Sequence, residues 1–170
     1  MNNRFFTTRR LALTGIFAGI ALALHVVEGF LPPVLPIPGV KLGFSNTITL
    51  LLMIWGHPLE ALVVLVLRIL IGSLFFSQAT AFLYSLAGGI SCYLVMLTIG
   101  KLLKNRYPIL ISIFGALTHN VAQLLVALLL TGSPGILVYA PVLILSATGA
   151  GLITGLAAQF TLPYIRRIRF

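Results

Sequence analysis

Long apolar stretches follow one another along almost the whole chain, and short polar or proline-containing segments separate them. A helix needs roughly 20 apolar residues to cross the hydrocarbon core of a bilayer. By that length the pattern predicts about six helices, and the second of them is short. The predicted spans are about 11–31, 44–55, 59–76, 79–100, 108–130 and 137–161. The sequence therefore predicts an all-α membrane protein with a single transmembrane domain over residues 1–170.

The segment between the first two spans differs from the other connections. It has prolines at positions 32, 33, 36 and 38, which exclude a regular helix. It is also too apolar for an ordinary solvated loop. Irregular backbone is tolerated at membrane depth only where protein buries it or where it lines a cavity. We therefore expect residues 32–43 to fold back over the outer face of the bundle as a lid-like loop.

The composition agrees with a membrane location and argues against several other classes. Hydrophobic residues make up 59% of the chain and charged residues 8%, whereas a soluble domain typically carries about 25% charged residues. The apolar segments leave no room for a catalytic domain, so we expect neither enzymatic activity nor a cofactor. The three histidines are scattered and Cys92 stands alone, so no metal site is expected. His25 and His57 are expected at the membrane interfaces.

The net charge of +9 is concentrated at the ends of the apolar spans. Such clusters are typical of the cytoplasmic side of membrane proteins, and no water-facing basic surface that would bind nucleic acid is predicted. Six crossings with an inward amino terminus place nine of the eleven basic residues in the cytoplasm. We therefore expect a multi-pass protein of the bacterial cytoplasmic (inner) membrane with both termini cytoplasmic. The nine are Arg4, Arg9, Arg10, Lys101, Lys104, Arg106, Arg166, Arg167 and Arg169.

Arg68 lies well inside the third predicted span, where a charged side chain is costly and marks a candidate site. The chain contains only two acidic residues, Glu28 and Glu60. Glu60 is eight residues away on the same helix, or about 12 Å, and does not pair with Arg68 directly. Two interpretations remain open: a buried ion pair with Glu28, or an anchor for an anionic ligand.

The fifth predicted span carries a polar stripe of His119, Asn120 and Gln123. His119 and Gln123 are four residues apart and Asn120 and Gln123 are three apart, so they share a helix face. Such a stripe either hydrogen-bonds neighbouring helices or presents donors and acceptors to a ligand.

Two further groups lie on the first two helices. Ser45 and Asn46 are suited to cap the second helix, while Lys41 and the helix amino terminus together would form an anion site. On the first helix, small residues recur at four-residue spacing. This ridge either packs within the bundle or docks another membrane protein, and its members are Gly15, Gly19 and Ala23.

Four motifs, in this order, resemble the Gx transporter family, which is also labelled heptaprenyl diphosphate synthase component I. They are PGVKLGFSN at 38–46, LRILIGS at 67–73, YSLAGG at 84–89 and GALTHNVAQ at 115–123. The resemblance implies a fold like the substrate-binding S components of energy-coupling-factor transporters. Those six-helix proteins bind a vitamin or similar nutrient beneath an outer loop, and they dock to a transmembrane coupling subunit and paired ATPases.

We therefore expect the substrate-binding component of a transporter for a small, anionic or vitamin-like solute, energised by partner ATPase subunits. The alternative is a non-catalytic membrane accessory of heptaprenyl diphosphate synthesis, an isoprenoid and quinone precursor pathway. In the transporter hypothesis, cations recognise the charge of the solute, and amides and an imidazole hydrogen-bond to it. The expected ligand-binding set is Lys41, Asn46, Arg68, His119, Asn120 and Gln123.

Overall fold

The computed structural model describes residues 7–30, 43–76 and 79–167, and all regular structure in these ranges is helical. The six predicted helices are all present in this part of the chain, so the predicted all-α membrane bundle is confirmed. The helices are α1 Thr8–Phe30, α2 Phe44–Trp55, α3 Pro58–Phe76, α4 Ala79–Leu102, α5 Pro108–Thr131 and α6 Ala140–Ile165, with a 3₁₀ segment Pro134–Tyr139 before α6.

Glycine and proline set the helix boundaries. Gly56, with φ 99°, ends α2, and Gly132, with φ 62°, ends α5. Both adopt the left-handed conformation that glycine accepts without a steric penalty, and both amides donate to carbonyls of the last helical turn. Pro58 and Pro108 begin α3 and α5, where the missing amide hydrogen costs nothing. These glycines and prolines therefore fix where α2 and α5 end and where α3 and α5 begin.

The helices run up and down, so that α1 is parallel to α3. Arg10 at the start of α1 forms an ion pair of 2.8 Å with Glu60 at the start of α3. Towards the other end of the same pair, His25 of α1 packs against Gly72 of α3. Apart from Arg68, the described basic residues all lie at the end of the bundle that contains the start of α1, the α2–α3 turn, the α4–α5 loop and the end of α6.

Helices α5 and α6 pack with almost no space between their backbones. A Cβ atom at Gly151 would lie 2.6 Å from the Cα atom of Ile113, and one at Gly155 would be equally close to the α5 backbone. Real Cβ atoms do not approach backbone so closely, so the interface requires glycine at both positions. Ser112 and Thr154 hydrogen-bond across the same interface at 2.6 Å. Small residues and an interhelical hydrogen bond are the usual means of helix association in a membrane.

The arrangement of apolar surface is that of a helical membrane bundle. Four helical stretches in the described ranges are long and apolar enough to cross a bilayer: Thr8–Glu28, Phe82–Leu102, Pro108–Thr131 and Pro134–Ile165. They carry large apolar side chains on the outside, such as Leu129, which is 82% exposed. In contrast, nine of the twelve residues of α2 are buried. The chain is therefore a membrane protein in which α2 occupies the interior.

The small-residue ridge of α1 faces away from the other helices. Gly15, Gly19 and Ala23 are exposed, and Cβ atoms built at the two glycines would meet nothing within 4 Å. The alternative in which this ridge packs within the bundle is therefore wrong for the described part of the chain. The predicted lid-like loop, residues 32–43, lies outside the described residues except for Gly43.

Candidate functional site

Arg68 is buried inside the bundle, with only 5% of its surface exposed. Its guanidinium donates to the hydroxyl of Ser45 and, at 2.9 Å, to Oδ1 of Asn46. Both acceptors belong to the first turn of α2, so Arg68 joins the middle of α3 to the start of α2. The Nε atom of Arg68 is also buried, and no described atom accepts a hydrogen bond from it.

Glu28 does not form a direct ion pair with Arg68. The carboxylate of Glu28 is buried at the end of α1 and accepts a hydrogen bond from the amide of Gly43. Its charge acts on the guanidinium only over a longer distance, while the guanidinium itself contacts neutral oxygens. The ion-pair interpretation of Arg68 is therefore wrong, and the interpretation as an anion anchor remains a hypothesis.

A small space of about 30 Å³ adjoins Arg68, and we call it the arginine cavity. Its wall is mostly polar, since it combines the guanidinium with two imidazoles, three hydroxyls and an amide. The lining residues are His25, Ser45, Asn46, Arg68, Ile69, Ser73, Ser85 and His119. A cavity of this size accommodates one or two water molecules.

A second space of about 30 Å³, the asparagine cavity, lies between the start of α2 and the helices α4, α5 and α6. Asn46 and His119 line both cavities and therefore stand between them. Asn120 lines the second cavity and also donates from Nδ2 to the carbonyl of Leu143 at 3.0 Å. The amide of Asn120 thus joins α5 to α6 as well as facing the cavity. The two cavities together are called the polar chamber below.

Two glycines make room for the two imidazoles of the polar chamber. A Cβ atom at Gly88 of α4 would lie 2.9 Å from the ring of His119, and one at Gly72 of α3 would lie 3.1 Å from the ring of His25. Any larger residue would have to displace the imidazole. The position of each histidine therefore depends on a glycine in the facing helix.

The structure brings together four of the six predicted ligand residues. Asn46, Arg68, His119 and Asn120 line the polar chamber. Gln123 is buried in α5 but lines neither cavity, and its Oε1 has no hydrogen-bond partner among the described atoms. Lys41 lies outside the described residues, so its role stays a prediction.

Sequence reasoning missed several members of the polar chamber. His25 was expected at a membrane interface, but it lines the arginine cavity with Ser73 and Ser85. The signal that would have found it is Gly72, which lies in the same motif as Arg68 and accommodates the ring. His57 lies at the α2–α3 turn, and Trp55 packs edge-on against its ring.

The side chains of the chamber are of the kind that bind an anion. In the ranges that the structure describes, no three His, Cys, Asp or Glu side chains are grouped as metal ligands. The guanidinium, imidazoles and hydroxyls that line the arginine cavity are groups that can donate hydrogen bonds to an anion. Ligand pockets of ordinary size are about 300–1,000 Å³. Each cavity is about a tenth of the lower limit, so the chamber as described is suited only to a small ligand.

These features define a helical membrane protein with a buried, cationic polar interior. A family model described as heptaprenyl diphosphate synthase component I matches residues 17–161, so the chain belongs to this family. The family predicted from the four motifs is therefore confirmed. No curated protein and no solved structure shows a significant match, and the resemblance to S components is not confirmed by these comparisons.

Proposed function

We propose that this chain is a non-catalytic membrane component that binds a small anionic ligand in the polar chamber. The observation that carries the proposal is Arg68, a buried cation in a membrane helix whose hydrogen bonds go to neutral groups. A charged side chain at such a depth costs several kcal/mol and is retained where it serves a ligand or a transport path. An anion beside Arg68 would offset that cost and would accept hydrogen bonds from the chamber.

The family description favours a role in heptaprenyl diphosphate synthesis. The reaction itself requires aspartate-rich motifs that hold magnesium and the diphosphate. Both acidic residues of this chain are glutamates, Glu28 and Glu60, and there is no aspartate. In this role the chain is therefore a membrane accessory of a separate synthase, and the chamber binds a small phosphate-bearing precursor.

A second role, the solute-binding component of a transporter, is favoured by the geometry. The polar chamber lies between the helices, and the ridge of Gly15, Gly19 and Ala23 is exposed on α1, where it would dock a coupling subunit. The sequence has no Walker motif, so partner ATPases would supply the energy. In both roles we place the protein in the bacterial inner membrane with its basic end in the cytoplasm, because basic residues are retained on that side.

Native mass spectrometry of the full chain, gently extracted from its own cells, tests the proposal. The wild-type protein is expected to retain an anionic ligand. The Arg68→Met variant is expected to lose it. The Thr14→Val variant is the matched control, because Thr14 is a buried polar residue of α1 outside both cavities, and it should retain the ligand.

The identity of the ligand and of co-purified proteins separates the two roles. A small phosphate-bearing precursor together with a soluble prenyl synthase supports the accessory role. A water-soluble anion together with a coupling subunit and ATPases supports transport. Equal ligand occupancy in the wild-type and Arg68→Met proteins would show that the polar chamber is not an anion site.

A further inference from the structure

A larger cavity, of about 690 Å³ and open to the surface, lies at the basic end of the bundle between the α4–α5 loop, the start of α5 and the end of α6. We call it the basic cavity. Three cationic side chains line it, together with a tyrosine and two amides; its main polar residues are Lys104, Asn105, Arg106, Tyr107, Gln159 and Arg166. It is far from Arg68 and does not rest on the function proposed for the polar chamber.

Among the residues that the structure describes, no acidic side chain lines this cavity. The sequence contains two acidic residues. Glu60 forms an ion pair with Arg10 at 2.8 Å, and Glu28 lies at the opposite end of the bundle, where it accepts a hydrogen bond from Gly43. No described carboxylate side chain therefore competes with an external anion for these cations.

The α4–α5 loop holds the basic cavity in a defined shape. Lys104 and Asn105 have φ angles of 51° and 55°, in the left-handed region that residues other than glycine seldom adopt. Backbone hydrogen bonds fix this turn, with Asn105 N donating to Gly100 O at 2.8 Å and Arg106 N to Leu103 O at 3.1 Å. The cationic residues at the loop are therefore presented by an ordered turn, which reduces the ordering cost of binding.

The edge of the basic cavity includes large, partly apolar side chains that are exposed on the outer surface of the bundle. Leu110, which lines it, is 44% exposed, and Tyr107 is 54% exposed. Tyrosine at the end of a span is typical of the membrane–water interface. The cavity thus combines cations that face the water boundary with side chains suited to contact a hydrocarbon chain.

We propose that the basic cavity binds a phosphate headgroup carried on a long apolar chain. Basic pockets between membrane helices on the cytoplasmic side are suited to such headgroups, and each cation near the surface strengthens binding by about fivefold. The volume lies within the range of ordinary ligand pockets, about 300–1,000 Å³. An anionic phospholipid and a prenyl diphosphate share this chemistry, and the experiment below distinguishes them.

The test is a lipid titration of the purified full chain in detergent, followed by native mass spectrometry. The probes are phosphatidylglycerol, heptaprenyl diphosphate and, as a zwitterionic reference, phosphatidylcholine. The variant is the double substitution Arg106→Gln and Arg166→Gln. The control double substitution, Lys101→Gln and Arg167→Gln, removes the same charge from the same end of the bundle, but neither of its residues lines the cavity.

We expect the wild-type chain to bind at least one of the two anionic probes about 100-fold more tightly than phosphatidylcholine, because three cations line the cavity. The cavity variant should lose about 25-fold in that affinity and the control less than about threefold. Preference for phosphatidylglycerol identifies a phospholipid site, and preference for heptaprenyl diphosphate identifies a prenyl site. Equal losses in the two variants, or no preference over phosphatidylcholine, would overturn the proposal.

Discussion

Replacing Arg68 by methionine tests whether Arg68 anchors a ligand or stabilises the fold, because the two roles predict different stabilities for the variant. Methionine is unbranched and fills much of the same space without a charge. The substitution removes two hydrogen bonds, to Ser45 and Asn46. Interhelical hydrogen bonds in membranes contribute about 0.6 kcal/mol on average and at most about 1.7 kcal/mol, so the loss is about 1 to 3 kcal/mol. Water in the arginine cavity can still satisfy the two oxygens that remain.

Removing the buried charge should instead increase the stability of the fold. An arginine at the centre of a span costs about 2.5 to 3.5 kcal/mol on insertion scales. The net change in the free energy of unfolding for Arg68→Met therefore lies between about 1 kcal/mol of destabilisation and about 2 kcal/mol of stabilisation. At about 2–4 °C per kcal/mol, the Tm should fall by no more than about 4 °C, and a rise of several degrees is allowed.

Ligand binding should respond much more strongly than stability. A hydrogen bond from a charged donor contributes about 1.5–3 kcal/mol, so Arg68→Met should weaken binding at least tenfold. Arg68→Lys keeps the charge but lacks the planar fork, and it should retain part of the affinity. The assays are thermal unfolding of the three proteins in the same detergent and retention of the native ligand by mass spectrometry.

A large loss of stability would refute this reasoning. Breaking a buried ion pair costs about 3–5 kcal/mol, which corresponds to a fall in Tm of about 6 °C or more. If Arg68→Met lost that much stability while Arg68→Lys did not, the positive charge would be compensated within the fold. Arg68 would then be a structural residue, and the proposal that the polar chamber binds an anion would lose its principal evidence.

Three further predictions follow from the packing and from the titration of one histidine. Gly151→Ala, which places a methyl carbon 2.6 Å from the α5 backbone, should lower the Tm by several degrees, whereas Gly149→Ala, with nothing within 4 Å, should not. Gly88→Ala should displace the His119 ring, 2.9 Å from the new carbon, and should reduce ligand retention in native mass spectra at nearly unchanged helix content. Burial lowers the pKa of His57 from 6.5, so the unfolded chain binds the proton more tightly, and stability should fall as the pH drops below about 6.5. This pH dependence of the Tm should be smaller in His57→Gln, and an equal slope in both proteins would contradict the assignment.

The helices were predictable from the sequence because the bilayer imposes a length on them. Apolar runs of about 20 residues, broken by glycine and proline, leave little freedom in where a helix begins and ends. The prediction for the second helix, 44–55, matches α2, since Gly56 and Pro58 mark the turn that follows. Arg68 was also identifiable from the sequence, because a charge inside a span has few explanations.

The orientation of helix faces was not predictable in the same way. Gln123 follows His119 by four residues, yet it lines neither cavity, because spacing along a helix does not say which face meets which neighbour. His25 was missed for the same reason, since only the fold brings it against Gly72. The outward direction of Gly15 on α1 likewise depends on how α1 packs against α2 and α3. The contribution of residues 32–43 to the site remains a prediction.

The burial of α2 has a consequence for how the protein enters the membrane during synthesis. With 12 residues, α2 is about 18 Å long, whereas the hydrocarbon core is about 30 Å thick. A segment of that length is not a stable span when it is surrounded by lipid alone. The next helix carries the buried charge of Arg68, which lipid also disfavours. The hairpin of α2 and α3 therefore has to partition as one unit, sheltered by α1 and by the helices that follow, and insertion and folding of this region are a single event.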